Sequence, residues 1–486
     1  MDKKLCALAV ASAFTLAACS FAPTYKVPPT AVPTQFKEAG QWMQAKPADG
    51  IPRDGWWQVY RDPELDKLEK GLVASNPDLE AALARHDEAT ALLQEARSNL
   101  YPTIGADANI SRERQSALRP LRGPGQPNVY DSATLDVGLS YDLDLWGKLR
   151  NEVKAGKDAE EASEADVASL RLSLEANLAS AYFNLLGLDL QSQILSETIA
   201  TYQKALDLTV SRHNGEIASD LDVSRAQTQL DSAKAQASDI TARRALFEHA
   251  IASLIGVPAS NFNLGPTYEI SYLPNVPIGV PASLLQRRPD IAAAERRMAQ
   301  ANAAIGVAKA AYFPDVSLGL DGGYQSDTLS PWIAAPNEIW AIGPTLVMTL
   351  FDGGRRTAIV HRAQAKLVEN GAKYKATVLT AFQQVEDNLA LLHYLGSEAV
   401  SEDRALDESR RTLDLSMSRY KDGVVSYLDV VTAQTTELST QLTDTQLQTR
   451  RLDASVRLID ALGGGWTDDQ GNAKATDTKT QVVAGH

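Results

Sequence analysis

The chain has 486 residues and a net charge of −14 at pH 7, so it lacks the excess of lysine and arginine that nucleic-acid binding requires. Its six histidines have no metal-site spacing, and no phosphate-binding Gly-Lys-Ser/Thr motif occurs. We therefore expect no metal, no cofactor and no catalytic site.

The N-terminus has the pattern of a targeting segment. Two lysines precede an apolar run, which predicts a signal peptide over residues 1–18. Leu16-Ala17-Ala18-Cys19 resembles the bacterial lipobox, and this resemblance implies lipid on the Cys19 thiol. Ser20, rather than an aspartate, then favours sorting to the outer membrane. An ordinary signal peptide with a chance cysteine is the alternative.

The rest of the chain divides into two repeats, each predicted to be a helix, two strands, a long helix, a turn and a helix. Residues 19–60 are rich in proline and are expected to form a lipid-anchored strap. The first repeat spans 61–256, a linker spans 257–281 and the second repeat spans 282–462. The polar tail 463–486 is expected to be disordered.

The strands are recognised by alternating apolar and polar residues, a pattern that gives a strand one apolar face. The predicted strands are about 102–112, 130–146, 314–324 and 339–351. Segments of about ten residues with this alternation are typical of transmembrane β-barrels. An antiparallel sheet half-buried on a soluble core is the alternative.

Long helical segments follow each pair of strands. The predicted helices are about 147–213, 219–255, 353–420 and 427–462. The segments Arg212–Gln227 and Arg419–Gln434 are two copies of one motif, in which Arg212 corresponds to Arg419 and Asp222 to Asp429. Each segment is predicted to hold a tight turn between two antiparallel helices.

Four strands cannot close a membrane barrel alone, because such barrels need at least about eight strands and an open sheet edge cannot face lipid. A homotrimer would supply twelve. The helices carry charge on both faces, so they are expected to project into the periplasm as a tube. A four-stranded soluble sheet that needs no partner is the alternative.

With these features the sequence resembles the outer-membrane factor family, the TolC/OprM group of channel proteins, and in particular its lipoprotein branch. The residues that carry the resemblance are Trp56-Trp57, Asp62-Pro63-Glu64-Leu65, Arg287-Arg288-Pro289-Asp290-Ile291, Phe313-Pro314, Leu350-Phe351-Asp352-Gly353-Gly354-Arg355 and the segment from Tyr420 to Gln434. The resemblance implies a mostly α fold with a transmembrane β-barrel portion. The family assembles as a homotrimer whose twelve-stranded β-barrel is continuous with a periplasmic α-helical barrel.

The resemblance implies a function as the outer-membrane channel of a tripartite efflux pump. The chain would be a passive exit duct for small molecules such as drugs, toxic compounds or metal ions, surrounded by outer-membrane lipid. A periplasmic adaptor protein and an inner-membrane pump, expected to be of the proton-driven RND type, would open it. A type I protein-secretion duct, which the lipobox disfavours, is one alternative. A periplasmic coiled-coil structural lipoprotein is the other.

Family members narrow the periplasmic end of the duct, and the resemblance places Leu428, Asp429, Thr432 and Asp222 at this aperture. Three copies of Asp429 would form a negative ring, as in cation-selective pores. Thr432 stands where the family often has a second aspartate, so a weaker ring is expected. For Asp429 the alternative is a solvated carboxylate favoured by the helix dipole.

The resemblance also implies contacts that hold the closed state. Tyr420 and Asp222 match one such pair, so a hydrogen bond from the Tyr420 hydroxyl to the Asp222 carboxylate is expected. Val425 replaces the arginine that completes this link in the family, so easier opening is expected. Gly423 matches a turn glycine that adaptors contact, and Gly215 is its counterpart in the first turn, one position early.

Overall fold

The computed structural model describes residues 20–29, 33, 35–38, 55–120, 123–269, 271–274, 276, 287–328 and 330–464. The predicted signal peptide, the lipidation site Cys19 and the tail from residue 465 lie outside the described residues. The chain divides into two compact units, comprising 1–29, 84–164 and 293–375 in one and 30–83, 165–292 and 376–486 in the other. Among the described helices, none has both the length and the apolar character needed to cross a membrane.

The helices occur in two sets that follow the same order. The first set is α1 Pro63–Ser75, α2 Pro77–Ser98, α3 Lys148–Asn214 and α4 Asp220–Leu254. The second set includes α5 Pro289–Ala310, α6 Arg355–Lys421 and α7 Tyr427–Ala461. Helices α3 and α6 have 67 residues each, and α4 and α7 have 35 each. The two long hairpins therefore correspond residue for residue.

Four antiparallel strands form one sheet in the order β1-β2-β3-β4. Their bounds are β1 Thr103–Arg114, β2 Val129–Asp142, β3 Asp315–Ser326 and β4 Glu338–Val347. The register places Ile104, Leu139, Leu320 and Ile342 in one row across all four strands. The predicted apolar face is thus continuous, and the outer edges of β1 and β4 pair with no other described strand.

Two strands end earlier than predicted. The strand expected to reach residue 146 ends at Asp142, and the one expected to reach 351 ends at Val347. Asp144 accepts hydrogen bonds from the backbone of Leu149 and Arg150 at 3.1 and 2.9 Å. Asp352 likewise accepts from the backbone of Arg356 at 3.2 Å. Both aspartates satisfy backbone N–H groups at the start of a long helix, so the chain leaves the sheet before them.

The matching Asn-Pro-Asp-Leu and Arg-Pro-Asp-Ile segments make equivalent contacts. Asn76 Nδ2 donates to the Leu254 carbonyl at 2.7 Å, and Arg288 Nη1 donates to the Ala461 carbonyl at 2.9 Å. Leu254 and Ala461 are the last residues of α4 and α7. Each repeat therefore connects the end of its final helix to the residue just before the helix that precedes its first strand, with a different side chain in each repeat.

Glu69 is a buried carboxyl group that the sequence does not predict. It lies on α1 with no exposed surface, between the fully buried Leu65 and Leu72. Neither carboxyl oxygen has a hydrogen-bond partner among the described residues. Burial, reinforced by the nearby Glu175 carboxylate and opposed by Arg171, raises the pKa of Glu69 to about 10. The side chain is therefore protonated at neutral pH.

Candidate functional site at the paired helix turns

The predicted site residues lie at two turns with the same backbone. We call residues 215–219 the first turn and residues 422–426 the second turn; they join α3 to α4 and α6 to α7. In the first, Ile217 N donates to the Arg212 carbonyl at 2.9 Å; in the second, Val424 N donates to the Arg419 carbonyl at 2.9 Å. Each of these hydrogen bonds spans six residues and satisfies a carbonyl group in the last turn of the preceding helix.

The residue with left-handed backbone occupies the same place in both turns, but its type differs. Gly423 has a φ of 74°, and Glu216 has a φ of 61°. Glu216, rather than Gly215, is therefore the structural counterpart of Gly423. Gly215 has no positive φ, which agrees with its place one position early in the sequence comparison. A non-glycine residue in this conformation is disfavoured by contact of its Cβ with the backbone.

Asp222 and Asp429 are helix-capping residues. The Asp222 carboxylate accepts from the Ser219 backbone N–H at 3.2 Å and hydroxyl at 2.8 Å. The Asp429 carboxylate accepts from the same groups of Ser426 at 3.1 and 2.8 Å. This capping box fixes the start of α4 and of α7. These bonds agree with the alternative interpretation of Asp429 as a carboxylate at a helix start. A role of Asp429 at the aperture is a separate proposal.

Three of the four residues predicted for the aperture are exposed in the single chain, and the fourth, Asp222, is half-buried. Leu428 has 49% of its surface exposed and its counterpart Leu221 has 58%. Asp429 and Thr432 are also exposed, and the Thr432 hydroxyl donates to the Leu428 carbonyl at 2.9 Å. An exposed leucine and carboxylate thus lie side by side at the start of α7.

The predicted hydrogen bond between Tyr420 and Asp222 is absent from the described chain. The Tyr420 hydroxyl is buried and has no hydrogen-bond partner among the described residues. Besides its capping bonds, Asp222 lies 3.5 Å from Arg225 Nη1. The contacts of the Asp222 carboxylate are therefore with the start of its own helix.

Sequence reasoning missed the contact that joins the two turns. Arg212 Nη1 donates to the Tyr420 carbonyl at 2.7 Å, and its guanidinium lies over the Tyr420 ring, 4.6 Å from the centroid. The Tyr420 and Tyr427 rings pack edge to face at 5.2 Å. The sequence did show that Arg212 and Arg419 occupy the same position in the two motifs. That correspondence does not indicate that Arg212 binds Tyr420.

An apolar cluster lies behind this contact. Its buried members are Tyr202, Leu206, Ala226, Leu230, Ala233, Tyr420, Tyr427 and Val430. The Tyr202 hydroxyl donates to the Gln434 carbonyl at 3.0 Å, joining α3 to α7. Burial raises the pKa of the Tyr427 hydroxyl to about 12, so this side chain is neutral at physiological pH. The cluster makes the two turns of one chain a single packed region.

The described residues include no group of three or more histidine, cysteine, aspartate or glutamate side chains that could hold a metal. The turns present exposed carboxylates, an exposed leucine and backbone groups. Such a surface can bind a partner or line a pore, and its acidic residues can attract cations.

The repeats found in the structure match a known family. The sequence model described as Outer membrane efflux protein matches residues 70–257 and 280–464, which are the two repeats. The chain belongs to the outer membrane efflux protein family. The predicted family, its mostly helical fold with strands, the outer-membrane location and the role as an efflux channel are confirmed by this match and by the relatives below.

The related sequences extend over almost the whole chain. The toluene efflux pump outer membrane protein TtgC of Pseudomonas putida is 31% identical over 97% of this chain and 98% of its own length. The pyoverdine export outer membrane protein OpmQ of Pseudomonas aeruginosa is 31% identical over 95% and 97%.

Solved structures agree with the sequence comparison. The outer-membrane channel OprN is 28% identical and covers 92% of this chain and 100% of its own, with a TM-score of 0.84. The open state of the outer membrane channel MtrE of Neisseria gonorrhoeae is 27% identical and covers 92% and 98%, with a TM-score of 0.80. This efflux protein therefore has the fold of outer-membrane channels.

Proposed function

We propose that three copies of this efflux protein form a passive duct for small molecules, narrowed at its periplasmic end by Leu428, Asp429, Thr432 and Asp222. A periplasmic adaptor and a proton-driven inner-membrane pump of the RND type open the duct, and the chain itself carries no catalytic activity. The observation that carries the proposal is a four-stranded sheet whose two outer edges pair with no other described strand, joined to two equal helical hairpins.

The exposed side chains of the sheet support closure into a barrel within lipid. Ile104, Ile110, Trp340, Ile342 and Leu346 are each more than half exposed in the single chain. A row of apolar side chains on outward-facing positions is what lipid contact requires. The edge of β4 in one copy can pair with the edge of β1 in the next, which removes the unpaired backbone groups that a membrane does not tolerate.

The residues after Cys19 support a lipid anchor beside the barrel. Ser20 Oγ donates to Asn151 Oδ1 at 3.1 Å, and the Phe21 ring stacks on Phe313 at 4.5 Å. Phe313 in turn stacks on Trp146 at 4.9 Å. Phe313 precedes β3 and Trp146 follows β2, so the start of the mature chain is fixed at the ends of the strands. Lipid on Cys19 would enter the membrane next to them.

The aperture is tested by ion selectivity in planar bilayers. Three Asp429 carboxylates favour cations, so Asp429→Asn should lower the permeability ratio of potassium to chloride. Asparagine keeps an oxygen that accepts the hydrogen bonds of the capping box, so the helix start is retained. Asp422→Asn, at an exposed carboxylate of the second turn, is the matched control. An unchanged ratio in Asp429→Asn would place the narrowest part of the duct elsewhere.

A further inference from the structure

The two turns share one backbone but have different surroundings. In the first, Arg212 is half-buried and crosses to the second repeat, where Tyr420 is only 5% exposed. Its guanidinium hydrogen-bonds the Tyr420 carbonyl and covers the Tyr420 ring. Arg212 thus joins the first repeat to the second repeat within the same chain.

The two residues that correspond to this pair in the opposite repeats do not contact each other in this way within the chain. Arg419 corresponds to Arg212, and His213 corresponds to Tyr420. Both are exposed, and no hydrogen bond or ion pair joins the Arg419 side chain to the described residues. The His213 carbonyl accepts from Glu216 N at 2.9 Å, as the Tyr420 carbonyl accepts from Gly423 N at 3.0 Å. The same acceptor geometry is therefore present at both turns.

We propose that Arg419 of one copy binds the His213 carbonyl and imidazole ring of the neighbouring copy. The proposal rests on the homotrimer of the proposed function. In a closed ring of three copies the first and second repeats alternate, so every repeat meets a repeat of the other kind on both sides. The contact between Arg212 and Tyr420 belongs to the interface between the two repeats of one copy. The correspondence of Arg419 with Arg212 and of His213 with Tyr420 predicts the equivalent contact at the interface between neighbouring copies.

The residues around the two contacts differ in chemistry. Within the chain, the interface holds an apolar cluster that includes Tyr202, Leu230, Ala233 and Tyr427. Their counterparts for the interface between copies are, in the same order, Ser409, Glu437, Thr440 and Asp220. These four side chains are replaced by polar ones, whereas Leu206, Ala226 and Val430 correspond to Leu413, Ala433 and Val223, which are also apolar. The interface between copies buries less apolar surface, so the Arg419 hydrogen bond contributes a larger share of its stability.

This difference determines where the ring separates. The two turns of one copy are joined by an arginine and an apolar cluster, whereas neighbouring copies are joined by an arginine and a cluster with fewer apolar side chains. The contact between copies is therefore expected to break more easily than the contact between the two turns of one copy. Arg419 is a positioning residue for the closed state, since it holds the neighbouring turn and touches no exported molecule.

Cross-linking between copies tests the assignment. Arg419→Cys and His213→Cys are introduced together into the full chain with Cys6 and Cys19 replaced by serine, which leaves no other thiol. A short bismaleimide is used, because the span of an arginine side chain exceeds that of a disulfide. The matched control carries Arg212→Cys with Tyr420→Cys. We expect covalent dimers and trimers on denaturing gels from the first pair, and monomers from the control.

The native mass of the same samples separates the possible failures. Uncrosslinked monomers on the denaturing gel from a protein that is trimeric by native mass would overturn the Arg419 assignment and leave the proposed duct intact. A monomeric native mass in detergent would overturn the proposed duct and the Arg419 assignment with it.

Conductance provides a second test that does not depend on cysteine chemistry. Arg419→Ala should raise the open probability of single channels, because it removes the hydrogen bond between copies and leaves each copy folded. Arg419→Lys keeps the charge but loses the planar guanidinium, so it should restore the closed state only in part. An open probability of Arg419→Ala equal to that of the unmodified protein would overturn the assignment.

Discussion

At the scale of single residues, the two turns differ at the position with left-handed backbone. Glycine adopts this conformation freely, whereas glutamate adopts it at a cost. Glu216→Gly should therefore stabilise the first turn by about 0.5–1 kcal/mol. The expected result is a severalfold slower hydrogen exchange of the Ile217 amide, which donates to the Arg212 carbonyl.

Two further substitutions check the direction of this effect. Gly423→Ala, at a φ of 74°, should speed the exchange of the Val424 amide, since alanine is disfavoured there. Gly215→Ala should have no such effect, because its φ is negative and the nearest atom to a Cβ would lie at 3.6 Å. Faster exchange in Glu216→Gly would contradict the steric explanation.

The buried carboxyl of Glu69 predicts a pH dependence of stability. Its pKa is about 10 in the folded chain, above the ordinary value of 4.5. Between these values the folded state holds a proton that the unfolded state has released, so the free energy of unfolding falls as pH rises. Glu69→Gln removes this titration and should flatten the dependence of the thermal midpoint between about pH 6 and pH 9.

The control for this experiment lies on the same helix. Glu64 has 39% of its side chain exposed and pairs with Lys67 at the surface, so Glu64→Gln should keep the slope of the unmodified protein. Equal slopes in all three proteins would mean that Glu69 is ionised in the folded state.

At the scale of elements, one side chain in each repeat connects the end of the last helix to the start of the helix that precedes the first strand. Arg288 binds the Ala461 carbonyl, and it also binds Gln384 at 2.8 Å and Asp290 at 2.7 Å. Its side chain is 10% exposed, so Arg288→Ala leaves these partners unsatisfied and should cost about 3 kcal/mol or more. Asn76→Ala removes fewer bonds and should cost about 1–3 kcal/mol.

Thermal unfolding in detergent measures the order of these effects. Arg243→Ala is the control, since its pair with Asp239 is about 60% exposed on both sides and should contribute less than about 1 kcal/mol. A midpoint for Arg288→Ala as high as that of Arg243→Ala would contradict a structural role for the Arg-Pro-Asp-Ile segment.

At the scale of the whole molecule, the strands rather than the lipid are expected to hold the protein in the membrane. Cys19→Ser would remove the proposed lipidation site and leaves the apolar row of the sheet unchanged. The variant should remain a trimer that needs detergent for extraction, measured by native mass after sedimentation of the membranes. A water-soluble monomer would favour a periplasmic structural lipoprotein instead.

The sequence by itself determined the repeats, the positions of the strands and helices, and the turns between them. These features depend on local periodicity and on short capping motifs, such as Ser219 with Asp222, that act within a few residues. Only the tertiary structure decided that Arg212 binds Tyr420, that Asp222 does not, and that Glu69 is buried with no hydrogen-bond partner among the described residues. Each of these outcomes depends on which helices pack side by side over more than a hundred residues of sequence, and no local pattern encodes that packing.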